Sequence, residues 1–210
     1  MDRIDREVAK SLLNIKAVLL NPNKPFTWAS GWLSPIYCDN RKILSYPKFR
    51  EDVCRWMADN ILEKYPDVEV IAGVATGAIS HGMLIAHFLN KPFIYVRPKA
   101  KDHGTGSQIE GTLNSGDKVV IIEDLISTGK SSLAAATALQ ENGANVLGMK
   151  AIFSYNFNHA RKAFEDADIE LTTLSNYDTL IEVAHEVGYI SAEDLEILKE
   201  WRFSPSTWGK

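Results

Sequence analysis

Apolar positions come in short unbroken runs from residue 68 onward: VEVIAGV (68–74), PFIYV (92–96), KVVIIE (118–123), NVLGMKAIF (145–153) and IELTTL (169–174). Each run is rich in Val and Ile and lacks the strict alternation of a strand with one wet face. Each therefore reads as a strand buried on both sides. Between them, segments with helical spacing lie at 77–90, 130–142 and 156–167, and Gly143 stands as a stop for the second. Strands alternating with helices take right-handed crossovers. The pattern predicts an α/β fold with an open, twisted parallel sheet of about five strands flanked by helices. In such sheets, ligands bind at the carboxyl ends of the strands.

The first 67 residues are patterned differently. An amphipathic helix over about 3–20 precedes FTWASGWLSPIYCDNRKIL, which is aromatic and rich in turns; a second helix follows over about 47–64. This region, about 1–67, is expected to form a small cap over the strand ends of a single domain spanning 1–210. Near the other end, LIEVAHEVGYI and SAEDLEILKEW predict one or two further helices, with Ser191 and Asp194 resembling a helix start. No internal repeat, low-complexity tract or linker interrupts the chain.

Composition narrows the function classes. At 210 residues, 45% hydrophobic and 24% charged, the chain can bury one sizeable core. A net charge of −4 disfavours a broad basic face, so nucleic acid is not an expected partner. Cys38 and Cys54 have neither metal-ligand spacing nor disulfide density, and read as reduced thiols. The opening MDRIDREVAKSLLNIKAVLL mixes acids and bases before four apolar residues, too few for the ~7–15 of a signal peptide. No run approaches the roughly 18 apolar residues of a membrane span. A cytoplasmic protein without a membrane partner is expected.

The chemistry concentrates at VVIIEDLISTGKSS (119–132). Its end looks like a triphosphatase phosphate loop, but G-x-x-x-x-G-K-[ST] needs glycine at position 124, and Asp124 stands there. A carboxylate would face the phosphates such a loop cradles, so that reading fails. Glu123 and Asp124 instead emerge at the end of a central strand. Ser127, Thr128, Gly129, Lys130 and Ser131 then turn into a helix start, where backbone N–H groups and hydroxyls make a compact anion site. Carboxylates accept hydrogen bonds from vicinal hydroxyls. Phosphate at one end and hydroxyls at the other describe a ribose 5-phosphate.

On these residues the stretch resembles the phosphoribosyl-pyrophosphate (PRPP) motif of the type I phosphoribosyltransferases: an apolar run, two acids, then Thr/Ser-x-Gly-x-Ser/Thr. Glu123 departs from the commoner Asp-Asp pair. A second segment, RPKAKDHGTGSQIEG (97–111), is nearly devoid of apolar residues and has the composition of a mobile lid. Its R-x-K-A-K-D-H-G pattern is similar to the catalytic loop of the orotate phosphoribosyltransferase family. FTWASGWLSPIYCDNR (26–41) resembles that family's F-T-x-x-S-G-x-x-S-P-x-Y segment, with Ala29 where many members carry lysine. GVATGAISHG (73–82) resembles its pyrophosphate loop, with Gly77 where some relatives have lysine. His81 and His87 beside that loop read as structural.

The resemblance implies transfer of a phosphoribosyl group from PRPP to orotate. Arg97, Lys101 and His103 would then neutralise the departing pyrophosphate. PRPP would lie against residues 123–131, namely Glu123, Asp124, Leu125, Ile126 and the anion turn, with Ala75, Thr76 and Lys99. Orotate would meet Ser127, Tyr37, Cys38, Arg41 and Tyr155. Its carboxylate contact stays open between Arg41, Tyr155 and backbone, because FSYNFNH (153–159) places Tyr155 where many relatives have arginine, with Arg161 further on. The resemblance also implies Mg²⁺ carried on PRPP without a protein metal cluster, and a homodimer that shares lid loops. Two alternatives stay open: a purine-type phosphoribosyltransferase on the same scaffold, and a PRPP-sensing regulator that binds nucleic acid.

Overall fold

Residues 2–28, 31–99 and 108–209 are described, in a computed structural model of the chain. Helix α1 (Asp2–Asn14) stops short of the 3–20 span that its amphipathic pattern predicts. Lys16 turns with a φ of 56°, and the apolar residues after it become strand β1 (Val18–Leu20). The reason is a distant partner. After a small hairpin of β2 (Phe26–Thr27) with β3 (Leu33–Ser34), strand β4 (Ile36–Cys38) returns to pair antiparallel with β1. A 3-10 turn (Asn40–Ser45) then leads into α2 (Pro47–Lys64). Proline opens that helix because the first turn loses no helical hydrogen bond to it.

The remaining chain winds the main sheet: β5 (Val70–Val74), α3 (Ile79–Leu89), β6 (Phe93–Val96), β7 (Ile109–Glu110), β8 (Lys118–Ile126), α4 (Lys130–Glu141), β9 (Asn145–Ser154), α5 (Asn158–Asp166) and β10 (Leu171–Asn176). The strand order is β10–β9–β8–β5–β6–β7. The five strands that the apolar runs predict are parallel neighbours, and β7 adds an antiparallel edge to β6. The alternation of strand and helix forces the parallel crossovers, and Val119, Val120, Ile121 and Ile122 are wholly buried as a central strand requires. Helices α6 (Tyr177–Glu186) and α7 (Ala192–Phe203) finish the chain, and the helix start expected at Ser191 and Asp194 takes the form of a capping box.

Packing divides the N-terminal region. Helix α2 lies on α3 and β9, while α1 lies on α6 and β10, so both flank the sheet. The two small hairpins between them stand at the strand ends, where α7 meets them through a hydrogen bond from Trp201 Nε1 to the Leu33 carbonyl, 3.1 Å.

One sheet residue is out of character. Lys150 on β9 is 2% exposed, and its ammonium donates to Asn60 Oδ1 on α2 at 2.9 Å. Burial, helped by the like charge of Lys64, lowers its pKa to about 8. The unfolded chain therefore binds more protons than the folded one between the folded value, about 8, and the ordinary 10.5. Its stability penalty is full below that window and fades as pH rises through it. Lys150→Met is expected to raise the melting temperature at pH 7 by about 2–4 °C, or ~1 kcal/mol once screening near the helix surface is discounted. In thermal melts the gap to the parent should narrow as pH climbs above about 8; a constant gap would mean the gain came from packing instead.

Candidate active site

The sheet opens a crevice where one strand outruns its neighbour. Pairing of β5 with β8 ends at Gly73–Ile122, whereas β9 follows β8 as far as Ile126. Glu123 and Asp124 thus lie inside β8 but beyond its last pairing with β5, beside the loop of residues 75–78 that leaves β5. That loop bends through a cis peptide between Ala75 and Thr76. A polar cavity of about 440 Å³ forms here, lined by Thr76, Gly77, Glu123, Asp124, Ser131 and the 38–41 segment.

The two acids are not equivalent. Glu123 is 5% exposed, and both its carboxylate oxygens are occupied. Ser132 Oγ donates to one at 2.9 Å and the Asp124 N–H to the other at 3.0 Å. Burial, then the neighbouring Asp124, pushes its pKa well above the ordinary carboxylate range. Asp124 is the more open carboxylate of the cavity. Its backbone is pinned from the cap: Asn40 Nδ2 donates to the Asp124 carbonyl at 2.6 Å, and the Cys38 thiol donates to Asn40 Oδ1 at 3.3 Å. Sequence reasoning passed over Asn40. Its one signal was its place within CDNR between two site residues.

The space around Asp124 also accounts for Gly77. A Cβ there would lie 2.5 Å from Asp124 Cγ, inside the carboxylate itself. Gly77→Ala is expected to displace Asp124 and raise the KM of the substrate held in the polar cavity about ten-fold or more, with little change in melting temperature. Steady-state kinetics check this, and an unchanged KM would mean that Asp124 moves aside freely.

The predicted turn into the helix is formed. Gly129 adopts a φ of 77°, and a Cβ on it would lie 2.7 Å from Phe164 Cε2, so glycine is needed twice over. It caps α4 without a side-chain hydrogen bond, and the Lys130 N–H makes only a long 3.5 Å contact with Thr128 Oγ1, so the helix start can offer N–H groups to a ligand. Lys130 is exposed. Ile126 is wholly buried, and its carbonyl accepts from the Tyr155 N–H at 3.0 Å, so its part is to hold the turn in register.

On the far side of the turn lies a second cavity of about 420 Å³, lined by Trp28, Trp32, Tyr37, Tyr155, Ser127 and Thr128. Cys38 and Leu125 line both cavities and so form the partition between them. Burial, then Asp124, raises the Cys38 thiol well above its usual pKa, and burial does the same for the Tyr155 phenol, so both stay neutral. Trp28 and Tyr155 tilt toward each other with ring centres 5.1 Å apart. Among the described residues, the lining carries no cation. Arg41 stands at the polar cavity instead, forked onto Asp39 at 2.7 and 3.0 Å. Arg161 lines a separate hollow of about 440 Å³ between α5 and β10. That hollow has no anion turn and mixes Arg161 with Glu165, Asp168 and Glu170, so volume alone does not mark the site.

The root of the basic segment is a short hairpin. The Arg97 N–H donates to the Gln108 carbonyl at 2.9 Å, and Gln108 Nε2 returns a bond to the Arg97 carbonyl at 2.7 Å. The Arg97 guanidinium is 3.5 Å from Glu110, beside Ala75 and Ser131 at a small cavity of about 80 Å³. Lys99 is exposed. Lys101 and His103 lie outside the described residues, as does Ala29. His81 is wholly buried on α3, where burial lowers its pKa and its Nδ1 lies 3.8 Å from the Cys54 sulfur; His87 packs beside Phe88.

An anion turn, an open carboxylate and an aromatic slot meeting at one partition define a site for a phosphorylated sugar joined to a flat ring. Comparison with known proteins supports that class: residues 39–188 match the phosphoribosyl transferase domain family. The chain is 53% identical over 207 residues to the orotate phosphoribosyltransferase of Listeria innocua, covering 99% of each. It is 54% identical over 209 residues to that of Porphyromonas gingivalis, covering 100% of each. The solved orotate phosphoribosyltransferase of Aeropyrum pernix superposes with a TM-score of 0.73 at 28% identity, over 88% of this chain and 99% of that one. The chain belongs to the orotate phosphoribosyltransferase family.

Proposed function

We propose that the protein transfers the phosphoribosyl group of PRPP to orotate, giving orotidine 5′-monophosphate and pyrophosphate, as a step of pyrimidine biosynthesis. The observation that carries this reading is the pair of cavities joined at Cys38 and Leu125. The polar one takes ribose and diphosphate, and the aromatic one takes the base. PRPP places its 5′-phosphate on the turn of residues 127–131, its hydroxyls toward Asp124 and its diphosphate along the loop of residues 75–77. The ring of orotate lies among Trp28, Tyr37 and Tyr155. With Arg41 and Arg161 placed elsewhere, the carboxylate of orotate takes its hydrogen bonds from the hydroxyls and N–H groups of Ser127 and Thr128.

The chemistry follows the charge. As the C1′–O bond breaks, its electron pair leaves with pyrophosphate and C1′ becomes oxocarbenium-like. The orotate nitrogen closes the new bond from the opposite face, and its proton passes to solvent. Asp124 holds the ribose and sets negative charge near the developing cation. Lys101 and His103, with Arg97 at the loop root, meet the negative charge growing on pyrophosphate. Lys101 and His103 come from the lid of a second copy, so the working unit is a homodimer. A closed lid excludes the water that would otherwise hydrolyse PRPP.

Among the described residues, no three His, Cys, Asp or Glu side chains gather as a metal site. One open carboxylate beside hydroxyls and backbone amides suits a hard cation that brings substrate oxygens and water as most of its ligands. Mg²⁺ bound on PRPP, facing Asp124, would neutralise part of the diphosphate charge. No described helix is long and apolar enough to cross a membrane. Incubation with PRPP, Mg²⁺ and single bases tests the proposal. Loss of orotate absorbance with equimolar pyrophosphate is expected; turnover only with a purine, or with no base, would overturn it.

A further inference from the structure

The wall of the aromatic cavity is not self-supporting. Behind Trp28 and Tyr155 stands Trp201 of α7, which is wholly buried and does not line the cavity. Its ring meets Trp28 edge-on with centres 5.7 Å apart and Tyr155 at 6.0 Å. Phe157 and Tyr177 close the cluster at 5.5 and 5.4 Å. Aromatic rings packed edge to face constrain one another's orientation as well as their distance.

Polar contacts fix this indole in the same place. Trp201 Nε1 donates to the Leu33 carbonyl at 3.1 Å, gripping the hairpin that carries Trp28. Trp28 Nε1 in turn donates to the Ile36 carbonyl at 3.2 Å. Helix α7 is itself anchored at several points. The Tyr177 hydroxyl donates to the Leu198 carbonyl at 2.9 Å, Arg202 pairs with Asp178 at 3.0 Å, and Asn23 Nδ2 reaches Asp194 at 3.2 Å. A buried tryptophan donor satisfied by a cap carbonyl binds α7 to the cap in one register.

We propose that α7, acting through Trp201, is a positioning element that sets the width of the base subsite. It rests on the assignment of the aromatic cavity to orotate. The base slides between Trp28 and the partition at Leu125, so any retreat of Trp28 or Tyr155 loosens contact with the ring and leaves the polar cavity intact. Trp201 touches no substrate. Its effect belongs to one substrate only.

Steady-state kinetics in both substrates separate this from a general structural role. Trp201→Leu is expected to raise the orotate KM about ten-fold while moving the PRPP KM less than about two-fold. Trp201→Phe keeps a ring but drops the bond to Leu33, and a smaller rise of about three-fold is expected as partial rescue. If the leucine variant does not fold by circular dichroism, the phenylalanine variant decides alone. Unchanged orotate KM in the folded variants, or equal rises in both KM values, would overturn the proposal. Trp28→Ala guards the underlying assignment: it should raise the orotate KM at least as far as Trp201→Leu. If Trp28→Ala acts and the Trp201 variants do not, the base subsite stands and the role of α7 falls; if Trp28→Ala has no effect, both fall.

Discussion

Asp124→Asn lowers kcat/KM for PRPP by about 10²–10³-fold, whereas Glu123→Gln costs about ten-fold or less. The contrast follows from burial. Both oxygens of Glu123 are taken up by Ser132 and the Asp124 N–H, and a glutamine keeps the shape of that contact. Asp124 faces the cavity and is held in place by Asn40. Asparagine at 124 keeps the size but removes the charge that would stabilise an oxocarbenium-like C1′ and the second acceptor oxygen for a ribose hydroxyl. Single-turnover measurements with PRPP and orotate would show the loss in the chemical step. Equal losses in the two variants would mean that Glu123 turns outward on binding and that the acids act as a pair.

Lys101→Ala lowers kcat by about 10²–10³-fold with only a few-fold change in the KM for PRPP. The reason is timing: negative charge on pyrophosphate is greatest as the C–O bond breaks, so a cation aimed at it acts on the transition state. Arg97→Ala should cost less, since its guanidinium already lies 3.5 Å from Glu110 at the loop root. Steady-state assays of each variant against the parent check the order. The proposed sharing of lids between subunits adds a sharper expectation. When inactive Lys101→Ala and Asp124→Asn proteins are mixed and allowed to exchange subunits, hybrid dimers contain one intact site, and about a quarter of parental activity should return. Recovery of none would mean that each subunit closes its own lid.

The sheet was legible because its strands are buried on both faces, and short runs rich in Val and Ile, such as Val119–Ile122, favour a buried strand over a helix. The anion turn was legible because Gly129 and its hydroxyl neighbours act locally. What stayed hidden depends on partners far along the chain. Helix α1 ends early because Ile36–Cys38 claims Val18–Leu20, a pairing that a helical pattern over 3–20 conceals. Strand β8 runs past its acids because β9 continues beside it to Ile126, so both acids line the cavity, Glu123 with its oxygens bonded within the protein and Asp124 more open. Asn40 acts on a carbonyl 84 residues away, and Trp201 on one 168 residues away. Gly77 read as a missing lysine until Asp124 was seen to occupy its side-chain space.

A crystal structure of the protein with orotidine 5′-monophosphate tests the division of the crevice most directly. The account predicts the phosphate on the N–H groups of residues 128–131, the ribose hydroxyls on Asp124, and the pyrimidine ring in the slot of Trp28, Tyr37 and Tyr155. A nucleotide lying in the opposite sense, with its ring in the polar cavity, or one bound in the hollow between α5 and β10, would contradict it.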